Sequence, residues 1–159
     1  MIEWTYDGEP VNEIPDGAIG FTYCLYFDDN TMYIGKKLAK TTKRLKTLKN
    51  GKKRKGHIRF TYKRKGGKNV PYEEIEADTD WRKYEGSFDR ERFESSIVLS
   101  KEILQFFSSK KAMSYAEEFE LFTREVLLKQ YVYRNSNIGG RYYPGNVEEG
   151  KEWTIQKKE

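Results

Sequence analysis

Residues 20–37 read GFTYCLYFDDNTMYIGKK. Two apolar, tyrosine-bearing runs flank Asp28, Asp29 and Asn30. Aromatic and β-branched residues suit a pleated, half-buried surface, and Asp and Asn tolerate turn geometry. The stretch therefore predicts a β-hairpin over residues 21–36 that sets Tyr23 and Tyr33 on neighbouring strands.

The 159 residues match the size of one domain with room for a core. Apolar residues make up 36% and charged residues 35%, so the core is modest, and the 15% aromatics must supply much of it. No apolar run approaches the roughly 20 residues that cross a bilayer, so no membrane partner is expected. The opening MIEWTYDGEP lacks the basic-then-apolar order of a secretion signal. A single cysteine, Cys24, fits a reducing compartment. One Cys and one His argue against zinc and leave any metal to carboxylates, as Mg²⁺ prefers.

The net charge of +5 conceals a strong asymmetry. Residues 36–68 hold sixteen Lys or Arg and no Asp or Glu, while the rest of the chain is acidic by eleven charges. The molecule is an acidic body with one cationic segment. Within that segment Phe60 and Tyr62 interleave with Arg59, Lys63 and Arg64, a pattern suited to stacking and phosphate contact. The candidate nucleic-acid contacts are Lys36, Lys37, Lys43, Lys52, Lys53, Arg54, Lys55, Arg59, Lys63 and Arg64, with DNA as partner. A plain solvated charge run is the competing reading.

Along the chain, residues 1–18 read as an irregular lead-in or edge segment. Residues 37–56 read as helical up to Asn50-Gly51, and residues 57–65 and 70–77 flank Gly66-Gly67-Lys68-Asn69 as a second hairpin. Residues 81–88, WRKYEGSF, suggest a short helix capped by Ser87. KEILQFF, 101–107, is the third main strand. Residues 114–129 are the clearest helix: Tyr115, Phe119, Phe122 and Val126 recur at helical spacing as its apolar face, with Ser109 or Ser114 as cap.

Tyr23 followed ten residues later by Tyr33-Ile34-Gly35 resembles the paired-tyrosine signature of the GIY-YIG nucleases. Phe21-Thr22-Tyr23 stands where that family has Gly-Ile-Tyr. YIGKK, a basic stretch, then Trp81-x-x-Tyr84-x-Gly86-Ser87, KEILQFF, Tyr115-Ala116-Glu117 and Tyr133-Arg134-Asn135 follow the order of a bacteriophage, homing-endonuclease-like branch. The likeness spans about residues 20–140. It implies one α+β domain with a small three-stranded mixed or antiparallel sheet flanked by helices and carrying a basic insertion, 36–68.

The resemblance also implies a metal-dependent endonuclease of DNA. Tyr23 and Tyr33 would orient or deprotonate the attacking water, with neighbouring lysines supplying the charge that a tyrosine base needs. Arg44 would hold the phosphate, with Lys43 and Arg54 as alternatives. Glu117 would hold Mg²⁺ or Mn²⁺, although helical periodicity favours Glu118. Asn135 would fix the geometry of the site or contact the leaving side. His57 stands among basic residues as a nucleic-acid-facing or solvated side chain. If the chain is phage-encoded, it would act in the cytoplasm of an infected bacterium. The alternatives are a catalytically inactive nucleic-acid-binding or inhibitory protein on the same scaffold, and a partner-binding protein using helix 117–127.

Overall fold

Trp4–Tyr6 (β1) and Glu9–Pro10 (β2) pair antiparallel, so the expected lead-in contributes strands. Gly20–Phe27 (β3) and Met32–Leu38 (β4) are the hairpin read from the sequence. Its turn is held by the Asp29 carboxylate, which accepts from Thr31 N at 3.0 Å and Thr31 Oγ1 at 2.6 Å. Lys40–Lys46 (β5), His57–Lys65 (β6) and Lys68–Asp78 (β7) follow. A 3-10 turn, Trp81–Lys83, precedes Val98–Phe107 (β8) and Lys110–Thr123 (α1). The structure is a computed structural model that describes residues 1–93 and 97–147. It divides into two units, Met1–Lys37 with Arg82–Glu159, and Leu38–Trp81.

The α+β class is as expected, but the single three-stranded sheet is corrected. The strands form a five-stranded mixed sheet, β2-β1-β8-β3-β4, and a three-stranded sheet, β5-β7-β6. The first is wider because β1 pairs parallel with β8 (Trp4↔Lys101), drawing the N-terminal residues into the sheet.

β3 is buried on both faces, which is why it reads as a continuous apolar run. Phe21 and Tyr23 pack edge-on against Trp4, with ring centroids 5.1 and 5.2 Å away. On the opposite face Cys24 joins Ile34, Leu121, Val126, Leu127, Tyr133 and Ile138 in the core beneath α1. Gly35 is required here because a Cβ at that position would overlap Tyr23 Oη and come within 2.6 Å of its Cζ.

The α1 helix starts at Ser109, whose Oγ accepts from Ala112 N at 3.4 Å. Its expected apolar face is corrected. Met113 and Leu121 are buried, whereas Tyr115, Phe119 and Phe122 are at least half exposed. Tyr115 stacks on Phe119 and Phe122 meets Tyr142 edge-on, so these rings cover one another outside the core. Val126 is buried without being helical. Glu125 takes a left-handed φ of 52°, Glu125 N donates to Phe122 O and Val126 N donates to Leu121 O. That is a Schellman ending, and it folds Val126 back onto Leu121.

The helix expected over 37–50 is also corrected, since its central part is β5. Lys40–Lys46 pairs along the whole of Asp78–Tyr72, placing Arg44 opposite Glu74. Lone helix propensity loses to cross-strand pairing with an acidic neighbour. The second hairpin is confirmed, turning on Gly66 and Gly67 at φ 58° and 77°, as a two-residue turn with both φ positive demands. The helix expected from Ser87 does not form; residues 84–90 are irregular beyond the 3-10 turn.

Two adjacent glutamates on β7 hold the smaller sheet together. Glu73 is fully buried and accepts from Arg54 N (2.9 Å) and Arg54 Nη1 (2.9 Å), with His57 Nδ1 2.7 Å away. Glu74, pointing to the other face, accepts from Arg44 Nη2 (2.8 Å) and Arg59 Nε (2.7 Å). Burial pushes the Glu73 carboxyl up, but those bonds outweigh it and hold its pKa below the usual carboxylate range. A depressed folded-state pKa gives stability that is present above the unfolded value and lost as pH falls through the folded one. The protection of β7 amides against hydrogen exchange, relative to their intrinsic rates, should therefore fall below about pH 4, and Glu73→Gln should flatten that acid dependence. In the larger sheet, Gly35→Ala should cost about 1–3 kcal/mol of unfolding free energy in a denaturant titration, as overpacking does.

Candidate active site

The geometry of the hairpin places Tyr33 at the sheet's margin, because β4 is the edge strand. The free edge of β4 is then covered by the segment after α1. Met32 N donates to Val132 O (2.7 Å) and Arg134 N to Met32 O (2.8 Å). The Asn135 side chain completes the pairing: Ile34 N donates to its Oδ1 (3.1 Å) and its Nδ2 donates to Ile34 O (2.7 Å). Of the two expectations for Asn135, this interaction supports fixing the geometry.

A cleft of about 270 Å³ opens at this edge, lined by Tyr33, Ser87, Asp89, Glu117, Arg134 and Asn135 among others. Glu117 reaches it because it lies midway between the buried Met113 and Leu121, four residues from each, on the inward side of α1. Glu118 instead lines a separate cleft with Phe122 and Tyr142. The periodicity that favoured Glu118 rested on the aromatic stripe that proves to face outward.

Tyr23 sits behind Tyr33, its ring centroid 6.3 Å away, and is buried. Tyr84 lies edge-on to Tyr23, with ring centroids 6.0 Å apart. Burial first, then the neighbouring phenols Tyr33 and Tyr84 and the Glu117 charge, push the Tyr23 hydroxyl above the ordinary tyrosine range. Tyr33 is pushed the same way, by burial first and also by Tyr84 and Glu117, against a hydrogen bond with Ser87 (3.3 Å). Burial, rather than lysine charge, leads the causes at both hydroxyls. Alternation along β4 aims Lys37 at the Tyr84 ring (4.1 Å), and Lys36 at Glu117.

Glu117 carries the charge of the site. Burial raises its pKa, and Lys36, with Nζ 3.4 Å from Oε2 and also donating to Ser114 Oγ (3.0 Å), pulls it back. Oε2 is buried without a hydrogen bond. No group of three or more His, Cys, Asp or Glu that could hold a metal occurs among the described residues. One desolvated carboxylate, its Oε2 without a hydrogen bond but ion-paired with Lys36, could serve a hard cation that keeps most of its ligands as water and substrate oxygens, and does not fit zinc.

Arg44, Lys43 and Arg54 belong to the other unit, Leu38–Trp81. Arg44 and Arg54 are engaged by Glu74 and Glu73. His57 likewise bonds Glu73 instead of standing solvated. Arg59 is paired with Glu74, while Lys43, Lys52, Lys53, Lys55, Lys63 and Arg64 are exposed. The arginine on the cleft wall is one that sequence reasoning passed over. Arg134 is buried, stacked 3.6 Å from the Phe27 ring centroid, and bonded to Thr31 Oγ1 and Asp29. Its Nη1 has no hydrogen-bond partner. Tyr84 and Ser87 were also missed, though both stand in the W-x-x-Y-x-G-S segment. Lys101, buried on β8, holds that segment in place by donating to Arg82 O (2.9 Å) and Tyr84 O (3.4 Å).

Paired tyrosines on adjacent strands, a helical glutamate and an asparagine closing the strand edge define a GIY-YIG site. The chain belongs to that superfamily: residues 4–138 match the family described as "Putative endonuclease segE, GIY-YIG domain". No curated protein and no solved structure matches it.

Since Lys36 lowers the Glu117 pKa, removing it must raise that pKa further. Carboxyl-carbon NMR titration should find Glu117 protonating above the usual glutamate range, and at higher pH still in Lys36→Met.

Proposed function

We propose that the chain is a divalent-metal-dependent endonuclease acting on DNA phosphodiesters. The supporting observation is that Tyr33, Glu117 and Asn135 line one cleft in a chain whose residues 4–138 match the family. The Tyr33 hydroxyl, steadied by Ser87, orients the attacking water; Tyr23 backs it, its ring packed against Tyr33 and Tyr84. Asn135 holds β4 so that Tyr33 faces the cleft. Glu117 holds Mg²⁺ or Mn²⁺, which compensates charge at the phosphoryl and leaving oxygens. Arg134 adds fixed positive charge on the same wall. The lysines of Leu38–Trp81 supply sequence-independent phosphate affinity, each neutralised phosphate adding about −0.9 to the log–log salt slope on duplex DNA. A phage origin, with the cytoplasm of an infected bacterium as the place of action, follows from the resemblance.

A non-catalytic DNA-binding protein on the same scaffold is the second reading. It is favoured by the burial of Tyr23 and by the pairing of Glu117 with Lys36. Incubation with end-labelled duplex separates the two. Cleavage is expected with Mg²⁺, and none with chelator or in Glu117→Gln. Tyr33→Phe should slow it about 100-fold, the order of loss when a reacting group is no longer held in position. Intact DNA with the wild-type protein and Mg²⁺ would leave only the binding reading, and cleavage that survives Glu117→Gln would remove Glu117 from the mechanism.

A further inference from the structure

The register of β5, β6 and β7 sorts the cationic unit into two unlike faces. Directly paired residues in an antiparallel sheet share a face, and neighbours along a strand alternate. One face carries Arg44, Arg59 and Lys63 around Glu74, with Glu76 and Asp78 further along β7. The other carries Leu45 opposite Glu73, Phe60 opposite Glu73, Tyr62 opposite Pro71 and Arg64 opposite Asn69, with Lys43 opposite Ile75. Residues contiguous in the sequence are thereby separated: Phe60 and Tyr62 do not share a side with Arg59 and Lys63.

The second face has a definite chemistry. Tyr62 is 71% exposed, and Phe60 is 45% exposed with one side of its ring against the His57 ring (4.6 Å), so Tyr62 and the remaining side of Phe60 are open to a ligand. Every other carboxylate of β7 lies on the opposite face, and Glu73 is fully buried, ion-paired with Arg54 and 2.7 Å from His57 Nδ1. What remains on this face is a pair of accessible rings flanked by the exposed cations Lys43 and Arg64, the exposed acids Glu76 and Asp78 of β7 lying on the other face.

The spacing of the rings selects the ligand. Residues two apart on one strand are separated by about 6.6 Å, whereas bases stacked in one strand of a duplex repeat at about 3.4 Å. Consecutive duplex bases therefore cannot each lie on a ring, and their faces are already covered by one another. An extended single strand has free base faces and can stretch to that separation, which is how aromatic platforms bind it. We propose that the Leu45–Phe60–Tyr62 face binds unpaired bases of single-stranded DNA, directing the enzyme to substrates with an open or branched segment. The inference takes DNA as ligand from the reading above, but it does not require cleavage.

The test is fluorescence anisotropy with a labelled oligo-dT, a duplex of equal length and an oligo-rU, in chelator. Wild-type protein, Tyr62→Ala, Tyr62→Trp and Phe60→Leu are compared, each confirmed folded by its circular dichroism melt. Expected is tighter binding of oligo-dT than of duplex, lost about ten-fold in Tyr62→Ala and kept in Tyr62→Trp. Duplex binding should change less than about two-fold, because the lysines that bind phosphate are untouched. Equal losses on both forms, no loss on either, or duplex bound as tightly as oligo-dT by the wild type would overturn the proposal. Tighter binding of oligo-rU would reassign the face to RNA and overturn it as stated. Ring-dependent oligo-dT binding by a protein that cuts nothing would uphold this inference while the nuclease reading fell. Cleavage with ring-independent binding would do the reverse.

Discussion

The side-chain amide of Asn135 does for the edge of β4 what another strand would do, giving Ile34 one acceptor and one donor. Without it the Ile34 N–H and C=O would lose those partners at a buried edge, at a cost of about 1–3 kcal/mol for each unsatisfied group. Because those two bonds hold the segment after α1 against β4, they also place the cleft. Tyr33 and Ile34 lie on one wall and Glu117 and Leu121 on the other, with Asn135 between them in the chain's path. Gly35 adds the steric half of this constraint by leaving space for the Tyr23 ring. The tyrosine pair and the glutamate are thus arranged by backbone pairing and ring packing more than by attraction between their own functional groups.

Charge is handled differently in the two units. In Met1–Lys37 with Arg82–Glu159 the decisive ionisable groups are few and desolvated: Glu117 with one lysine, and Lys101 with two carbonyl acceptors. Desolvation makes such groups sensitive to single neighbours. In Leu38–Trp81 the charges are many, and the guanidinium groups are divided between two buried glutamates. Sheet formation there depends on acid supplied by β7. That explains how a run of sixteen cations without an acid takes up regular structure.

Much of this was legible in the residues, and the errors have physical causes. The hairpin at Asp28-Asp29-Asn30, the β6–β7 turn at Gly66-Gly67 and the central strand β8 could be read because their signals are local: turn chemistry beside β-branched and aromatic runs. The Tyr115, Phe119, Phe122 stripe misled because helical spacing reports that residues share a face without saying which side that face meets. Rings that cover one another on the surface give the same period as rings in a core. Residues 37–50 misled because lysine suits a helix as well as an edge strand, and the glutamates that choose the strand lie some thirty residues further on. Tyr84, Ser87 and Arg134 stood inside motifs already noticed, but nothing local reveals that an irregular segment or a post-helix turn reaches the tyrosines.

By itself, then, the sequence determined the hairpin, the ten-residue step between Tyr23 and Tyr33, the acidic body with its cationic insertion and the order of motifs that marks the family. Those properties are set by neighbours in the chain or by composition. Tertiary structure alone decided that Glu117, not Glu118, enters the cleft, that Asn135 serves β4, that Arg44 belongs to Glu74, and that Phe60 and Tyr62 part from Arg59 and Lys63. Each of these depends on which strand or helix lies opposite, and hydrogen bonding, burial and pKa are properties of the opposing partner as much as of the residue itself.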